Sequence, residues 1–231
     1  MSTNSTDRDE PHLDRAQLVT RVAELVPTTK GQDCVRVGVD GVDGSGKTVF
    51  AGELAEALQV IGRHVVRISV DDFHNGSAVR YRPGRSSPEG FWLDSFNYER
   101  LSADVLEPMG PGGSRRYRSA AHDLASDLVL NPAHNVAPAG SVLVVEGLFL
   151  HREELAGAWD FSVLLDVPFE VTAKRMAIRD GTIPDPRHAS MRRYVEAQQR
   201  YFRECSPDQR ASDGTDNSVL DAPRLVRVRS L

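Results

Sequence analysis

Cysteine and lysine are the scarce residues of this 231-residue chain, and each scarcity excludes something. Cys34 and Cys205 are the only cysteines, so neither a disulfide framework nor a thiolate metal site is in prospect. The net charge of -5 leaves no cationic excess to track a phosphate backbone, which argues against general nucleic-acid binding. No apolar run approaches the ~20 residues of a membrane-spanning helix. The opening stretch MSTNSTDRDEP is polar and unlike a signal peptide. The expectation is a cytoplasmic protein with no membrane or nucleic-acid partner; a homo-oligomer is left open. Arginine supplies all but three of the 28 cations, the lysines being Lys30, Lys47 and Lys174. A GC-rich coding bias suffices to explain that, yet it makes the position of any one lysine more informative.

What is present is enough chain for one α/β domain. Residues 1–11 read as a disordered leader and 12–231 as a single domain. HLDRAQLVTRVAELV carries apolar residues at helical spacing. CVRVGVDG alternates valines as a strand does, KTVFAGELAEALQVIG is rich in helix formers and ends at Gly62, and HVVRISV is a second strand. Residues 75–96 are rich in Gly, Pro, Ser and Arg and are expected to be irregular. YERLSADVLEPM reads as a helix, and RRYRS and SDLVL as the arms of a short hairpin across AAHDLA. SVLVVEG and WDFSVLLDV supply two more strands, and PFEVTAKRMAIRD a helix opened by Pro168. GTIPDP breaks that helix, RHASMRRYVEAQQRYFREC resumes one, and the tail DNSVLDAPRLVRVR gives a last strand or edge. Strands alternating with helices predict a largely parallel sheet covered on both faces.

The informative lysine lies in GVDGSGKT, residues 41–48, between the first strand and the helix after it. The spacing fits the phosphate loop G-x-x-x-x-G-K-[ST], and the strand–loop–helix setting is the one it requires. Gly41, Asp43, Gly44, Ser45 and Gly46 would bend main-chain amides around phosphate oxygens at the positive end of the helix. Lys47 would neutralise the terminal phosphates and the Thr48 hydroxyl would ligate Mg²⁺. A glycine-rich connection with a solvent lysine is the plain alternative; the context favours a nucleoside triphosphate.

SVDDFH sets Asp71 at the carboxyl end of the second strand, where ligands of open α/β sheets collect. A carboxylate there can take the proton of an attacking hydroxyl, although an acid pair capping a turn would look the same. With Asp71-Asp72-Phe73 matching a D-x-F signature, the chain resembles the uridine kinase and phosphoribulokinase family. The resemblance implies a three-layer α/β/α P-loop fold with a mainly parallel five-stranded sheet, a hairpin, and a helical lid over about 175–193. It implies ATP and Mg²⁺ as cofactors, Asp71 as catalytic base and metal neighbour, and Glu146 of VLVVEG beside the metal. Arg175 and Arg179 of KRMAIRD match the family's R-x-x-x-R-D lid helix and would stabilise the transferring phosphoryl; a solvated basic face is the alternative.

On the acceptor side the match loosens. The family's Y-D-x-x-x-H becomes YRSAAH, with Tyr117 and His122 kept and Arg118 where the acid belongs. His122 is equally readable as a packing residue of a hairpin. An arginine there, with Arg80, Arg82, Arg85, Arg115 and Arg116 in flanking segments, suits an anionic acceptor better than plain uridine; solvated arginines are the bland explanation. The leading expectation is a small-molecule kinase acting on a hydroxyl of a nucleoside or similar metabolite. Two rivals stand beside it. A thymidylate kinase-like nucleoside monophosphate kinase shares the loop but carries D-R-[YFH] where this chain has DDFH. A non-catalytic ATP-binding regulatory protein would need no acceptor base.

Overall fold

The computed structural model describes residues 13–28 and 31–228, so the expected leader lies outside the described residues. Helix α1, Arg15–Leu25, opens with a capping box: the Asp14 carboxylate accepts the Gln17 N–H, and the Gln17 side chain accepts the Asp14 N–H. Strand β1 (Val35–Gly41) runs into the phosphate loop, helix α2 (Lys47–Val60) and strand β2 (Val65–Ser69), as the alternation predicts. A 3₁₀ turn, Val70–Phe73, follows at once and carries Asp71.

Residues 75–96 are less irregular than their composition suggests. They hold the short helices α3 (Ser77–Arg80) and α4 (Pro88–Asp94), the latter started by Ser87 accepting the Gly90 N–H with Pro88 at the first position. YERLSADVLEPM splits into α5 (Tyr98–Leu101) and a π-helical turn over Ser102–Leu106. The expected hairpin is paired differently. Strand β3 (Arg116–Tyr117) pairs with β6 (Asn135–Val136), and β4 (His122–Asp123) pairs with β5 (Leu128–Val129). SDLVL therefore folds back on His122, the nearer segment, because Asp127 takes a left-handed conformation (φ 58°) that closes the tight turn.

Strands β7 (Val142–Gly147) and β8 (Phe161–Asp166), helix α6 (Phe169–Asp180), helix α7 (Arg192–Cys205) and helix α8 (Pro207–Arg210) come next. Strands β9 (Asp213–Asp216) and β10 (Arg224–Val228) close the described chain. The sheet order is β10-β9-β8-β1-β7-β2. Five strands run parallel, and β10 adds a sixth, antiparallel, at the edge. The sequence reading counts the tail strand but misses β9, whose SDGTD has no apolar alternation. One face of the sheet packs Val35, Val37, Val39, Val142 and Val144 against α1 and α2; the other packs Leu143 and Val145 against α4, α5 and α7. No described helix is long and apolar enough to cross a membrane.

Candidate active site

The phosphate loop sits at the carboxyl end of β1, the central strand between β8 and β7. Gly41, Gly44 and Gly46 all have positive φ, 153°, 74° and 93°. Side chains there would also collide: a Cβ on Gly41 would lie 2.9 Å from the Leu165 carbonyl, and one on Gly44 the same distance from that of Thr172. The buried Ser45 hydroxyl oxygen has no partner among the described residues. Lys47 is buried and its Nζ donates to the Val42 carbonyl at 2.9 Å, so the ammonium is folded back across the loop.

The outer flank of the loop is held by α7. Gln198 accepts the Asp43 N–H at 2.8 Å and donates to the Asp43 carboxylate at 3.2 Å. One turn on, the Tyr201 hydroxyl donates to the carboxylate of Asp40, whose other oxygen accepts the Gly41 N–H at 2.7 Å. Burial raises Asp43 above the usual carboxylate range and pushes fully buried Asp40 up to about 6. Asn217, in the turn after β9, donates to the Ser45 carbonyl at 2.7 Å.

Across the loop the Thr48 hydroxyl donates to Glu146 Oε1 at 3.2 Å. Glu146, the last residue but one of β7, is in register with Ser69, so the sheet itself brings the second strand's acids to this carboxylate. The glycine after it has a steric cause: a Cβ on Gly147 would fall 2.5 Å from that of Val70. Only glycine lets the Asp71 turn lie against the end of β7. Burial, then the neighbouring Asp71 and Glu146, raise the Asp72 carboxyl. The exposed Asp71 has its main-chain carbonyl bonded by His74 Nδ1 at 2.7 Å. A carbonyl only accepts, so Nδ1 carries the proton. Burial holds His74 below its ordinary pKa and thus neutral.

The two helix arginines have different surroundings. Arg175 donates to the carbonyls of Asn217 (2.8 Å), Ser218 (2.9 Å) and Gly44 (3.4 Å), tying α6 to the loop and to the turn after β9. Arg179 is exposed and paired with Asp180 at 2.7 Å, with Asp43 and Asp71 in electrostatic reach.

On the acceptor side, Tyr117 packs half-buried against the core opposite Asn135. Arg118 is engaged, with Asp104 at 3.2 Å and the Pro132 carbonyl at 3.0 Å. His122 is buried; its Nε2 lies 3.1 Å from Asp127 and its Nδ1 has no partner. Asp127 also accepts from the Ser77 hydroxyl (2.5 Å), the Ser77 amide (2.8 Å) and Arg80 (3.4 Å). Those Ser77 bonds hold its carboxyl down to about 2. Sequence reasoning misses Gln198, Tyr201, Asn217 and Asp127; the one available signal was a glutamine and a tyrosine three apart on the buried face of α7.

The residues fit a magnesium nucleotide. Left-handed glycines, an orphaned hydroxyl and a folded-back lysine form a phosphate cradle, and the Thr48–Glu146 pair offers hard oxygen donors. Among the described residues no group of three or more His, Cys, Asp or Glu could hold a metal by itself.

A model of the phosphoribulokinase / uridine kinase family matches residues 36–195. The chain belongs to that family. A search of curated proteins finds no match. Among solved structures, a possible uridine kinase from Bacillus stearothermophilus is 21% identical, with TM-score 0.67, over 85% of this chain and 96% of that one. A candidate fructose transport system kinase from Silicibacter sp. TM1040 is 24% identical, with TM-score 0.63, over 80% and 93%. Phosphoribulokinase from Rhodobacter spheroides is 17% identical, with TM-score 0.50, over 80% and 70%. At these identities the structures share a fold with this chain: a mixed α/β P-loop architecture on a mainly parallel sheet. Family membership makes the protein a P-loop small-molecule kinase.

Proposed function

We propose that the protein transfers the γ-phosphate of ATP to a hydroxyl of a nucleoside or similar small metabolite. The observation that carries this reading is the Thr48–Glu146 pair at 3.2 Å, with the Asp71 turn laid against the same strand end by Gly147. In this reading the nucleotide, metal and acceptor functions meet at the carboxyl ends of the neighbouring strands β1, β7 and β2. The amides of Gly44 to Thr48 bind the β- and γ-phosphates, and Lys47 leaves the Val42 carbonyl to meet them. Thr48 and Glu146, with Asp71 close by, hold Mg²⁺, which when bound neutralises charge on the phosphate oxygens. Asp71 takes the proton of the acceptor hydroxyl; its exposure leaves the carboxylate open to substrate, and His74 fixes the turn beneath it.

Residues 12–231 act as one kinase domain, and residues 175–193 as its lid. Arg179 is the cation that reaches the transferring group from that lid, whereas Arg175 braces the loop through main-chain carbonyls. Tyr117 and His122 shape the acceptor pocket.

The test is ADP release and ATP binding measured side by side for wild type and Asp71→Asn. Turnover should fall by about two to four orders of magnitude with ATP affinity little changed, because a base acts only when the hydroxyl reacts. Equal loss of both would give Asp71 a structural role. ATP binding with no acceptor-dependent ADP release in wild type would favour the regulatory-protein reading. Release with nucleoside monophosphates alone would favour the monophosphate kinase.

A further inference from the structure

Arg193, in the first turn of α7, has no ion-pair partner within 4 Å among the described residues, Asp94 acting on it only at longer range. Only 5% of its surface is exposed, yet its hydrogen bonds go to main-chain carbonyls alone: Gly84 at 3.5 Å, Ser87 at 3.0 Å and Arg80 at 3.3 Å. A guanidinium has five N–H donors, so after those three bonds two are left. Of the nearby acids, Asp94 is in electrostatic reach of Arg193 but ion-paired with Arg82, and Asp127 is ion-paired with Arg80. A buried charge in this state is costly unless something compensates it.

Arg193 also shares an aromatic ring with two other arginines. The guanidinium carbons of Arg85, Arg80 and Arg193 lie 4.6, 5.0 and 5.1 Å from the centroid of Tyr81. Arg85 is exposed and has no hydrogen-bond or ion-pair partner among the described residues. Besides the ring, the three cations have Asp127, ion-paired with Arg80, and Asp94, in electrostatic reach of Arg193 but paired with Arg82.

The cluster borders the reaction site. Tyr194, next to Arg193, is in electrostatic reach of Asp43 in the phosphate loop as well as of Tyr81 and Arg80. His74 is likewise in reach of both Asp71 and Arg80. Arg118, the arginine to which the sequence pointed, is already engaged by Asp104, which it shares with Arg100, and by the Pro132 carbonyl.

We propose that Arg85 and Arg193, over the Tyr81 ring, form an oxyanion subsite, and that the acceptor carries a carboxylate or phosphate group besides its reacting hydroxyl. The second clause rests on the kinase reading above; the subsite itself does not. A planar guanidinium pair suits either oxyanion through paired, charge-assisted bonds. Arg85 supplies the mobile, solvent-facing half and Arg193 the fixed half.

Calorimetric titration with inorganic phosphate and with acetate, on protein saturated with Mg·AMPPNP so that the phosphate loop is filled, tests the subsite. Wild type should bind at least one of them saturably, and Arg85→Gln should weaken that binding about tenfold. Arg85→Lys should weaken it less, and Mg·AMPPNP affinity should not change. A preference for phosphate marks a phosphorylated acceptor, and a preference for acetate a carboxylate; either supports the subsite. Absence of saturable binding, or equal binding by Arg85→Gln, overturns it. ADP release with ribose or glycerol as fast as with ribose 5-phosphate or glycerate overturns the acceptor assignment. Failure of Mg·AMPPNP to bind would instead count against the kinase reading, and the anion titration in a Lys47→Ala background would still decide the subsite.

Discussion

At the phosphate loop the backbone makes the site: three glycines at positive φ, and carbonyls of Gly44 and Ser45 tied from outside by Arg175 and Asn217. Across the cleft, from Asn75 to Asn135, side chains make it. Asp127 gathers Ser77, Arg80 and His122, Asp104 gathers Arg100 and Arg118, and three arginines crowd Tyr81. A site built from main-chain geometry tolerates few residue types, because a Cβ or a change of φ destroys it. A site built from paired charges can be rebuilt from many combinations. The first kind can do one thing, binding phosphate, while the second can be varied to choose an acceptor.

The largest effect is expected where that contrast is sharpest. Lys47→Ala removes the one cation within the loop, and kcat/KM should fall by about three orders of magnitude, since a preorganised charge on the transferring group is lost. Near-normal turnover would show that the loop does not handle the γ-phosphate.

Gly147→Ala tests the junction between the two regions. Its Cβ would press on Val70 Cβ and Cγ2 at 2.5 and 2.6 Å, and a Cβ cannot rotate away. We expect a loss of about 1–3 kcal/mol in denaturant unfolding, with a fall in turnover as the Asp71 turn is displaced. Val70→Ala in the same chain should recover part of both. Recovery of stability without turnover would separate packing at this junction from the placing of Asp71.

The third effect is smaller and depends on pH. Asp40, under the loop, has its folded pKa raised by burial to about 6 from 3.8. Its favourable contribution is therefore full below pH 3.8 and lost as pH rises through 6. One pKa unit is worth about 1.4 kcal/mol, and Asp40 should cost wild type about that much between pH 5 and 8. His151, held down to about 4 by burial, works in the opposite sense up to its unfolded value. The difference between wild type and Asp40→Asn, taken at both pH values, isolates Asp40. A difference that does not change with pH would mean that the carboxylate is not desolvated.

These contrasts also explain how much could be read in the sequence. The loop, the strand before it and the helix after it were legible because Gly41, Gly46, Lys47 and Thr48 are each the residue that the geometry demands. Four of the five parallel strands were legible from runs of valine and leucine. Strand β9 was not: its Asp213, Gly214 and Thr215 are buried without an apolar pattern, and the Thr215 hydroxyl donates to only one oxygen of the Asp213 carboxylate. The pairing of β3 with β6 depends on contacts between residues eighteen and twenty apart that leave no periodic trace. Gln198 and Tyr201 reach the loop from more than 150 residues away, and only the folded chain makes them neighbours. Arg118 drew attention by standing where an acid was expected, and the acid it needed, Asp104, lay in a segment readable only as helix.

That last pair gives the smallest predicted effect. Arg118 and Asp104 are 3.2 Å apart, with 29% and 10% of their side chains exposed, and Arg100 holds the same Asp104 at 2.7 Å. Arg118→Ala leaves Asp104 with a cation, so the loss should stay within about 1 kcal/mol, the range of a partly exposed ion pair. The Pro132 carbonyl can turn to water. If Arg118 serves the hairpin rather than the acceptor, the KM for an anionic acceptor should move by less than about twofold, against a rise of about tenfold for Arg85→Gln. A rise in the Arg118 variant as large as that in the Arg85 variant would mean that Arg118 leaves Asp104 when substrate arrives. The anion-reading face would then extend from the Tyr81 ring to the hairpin.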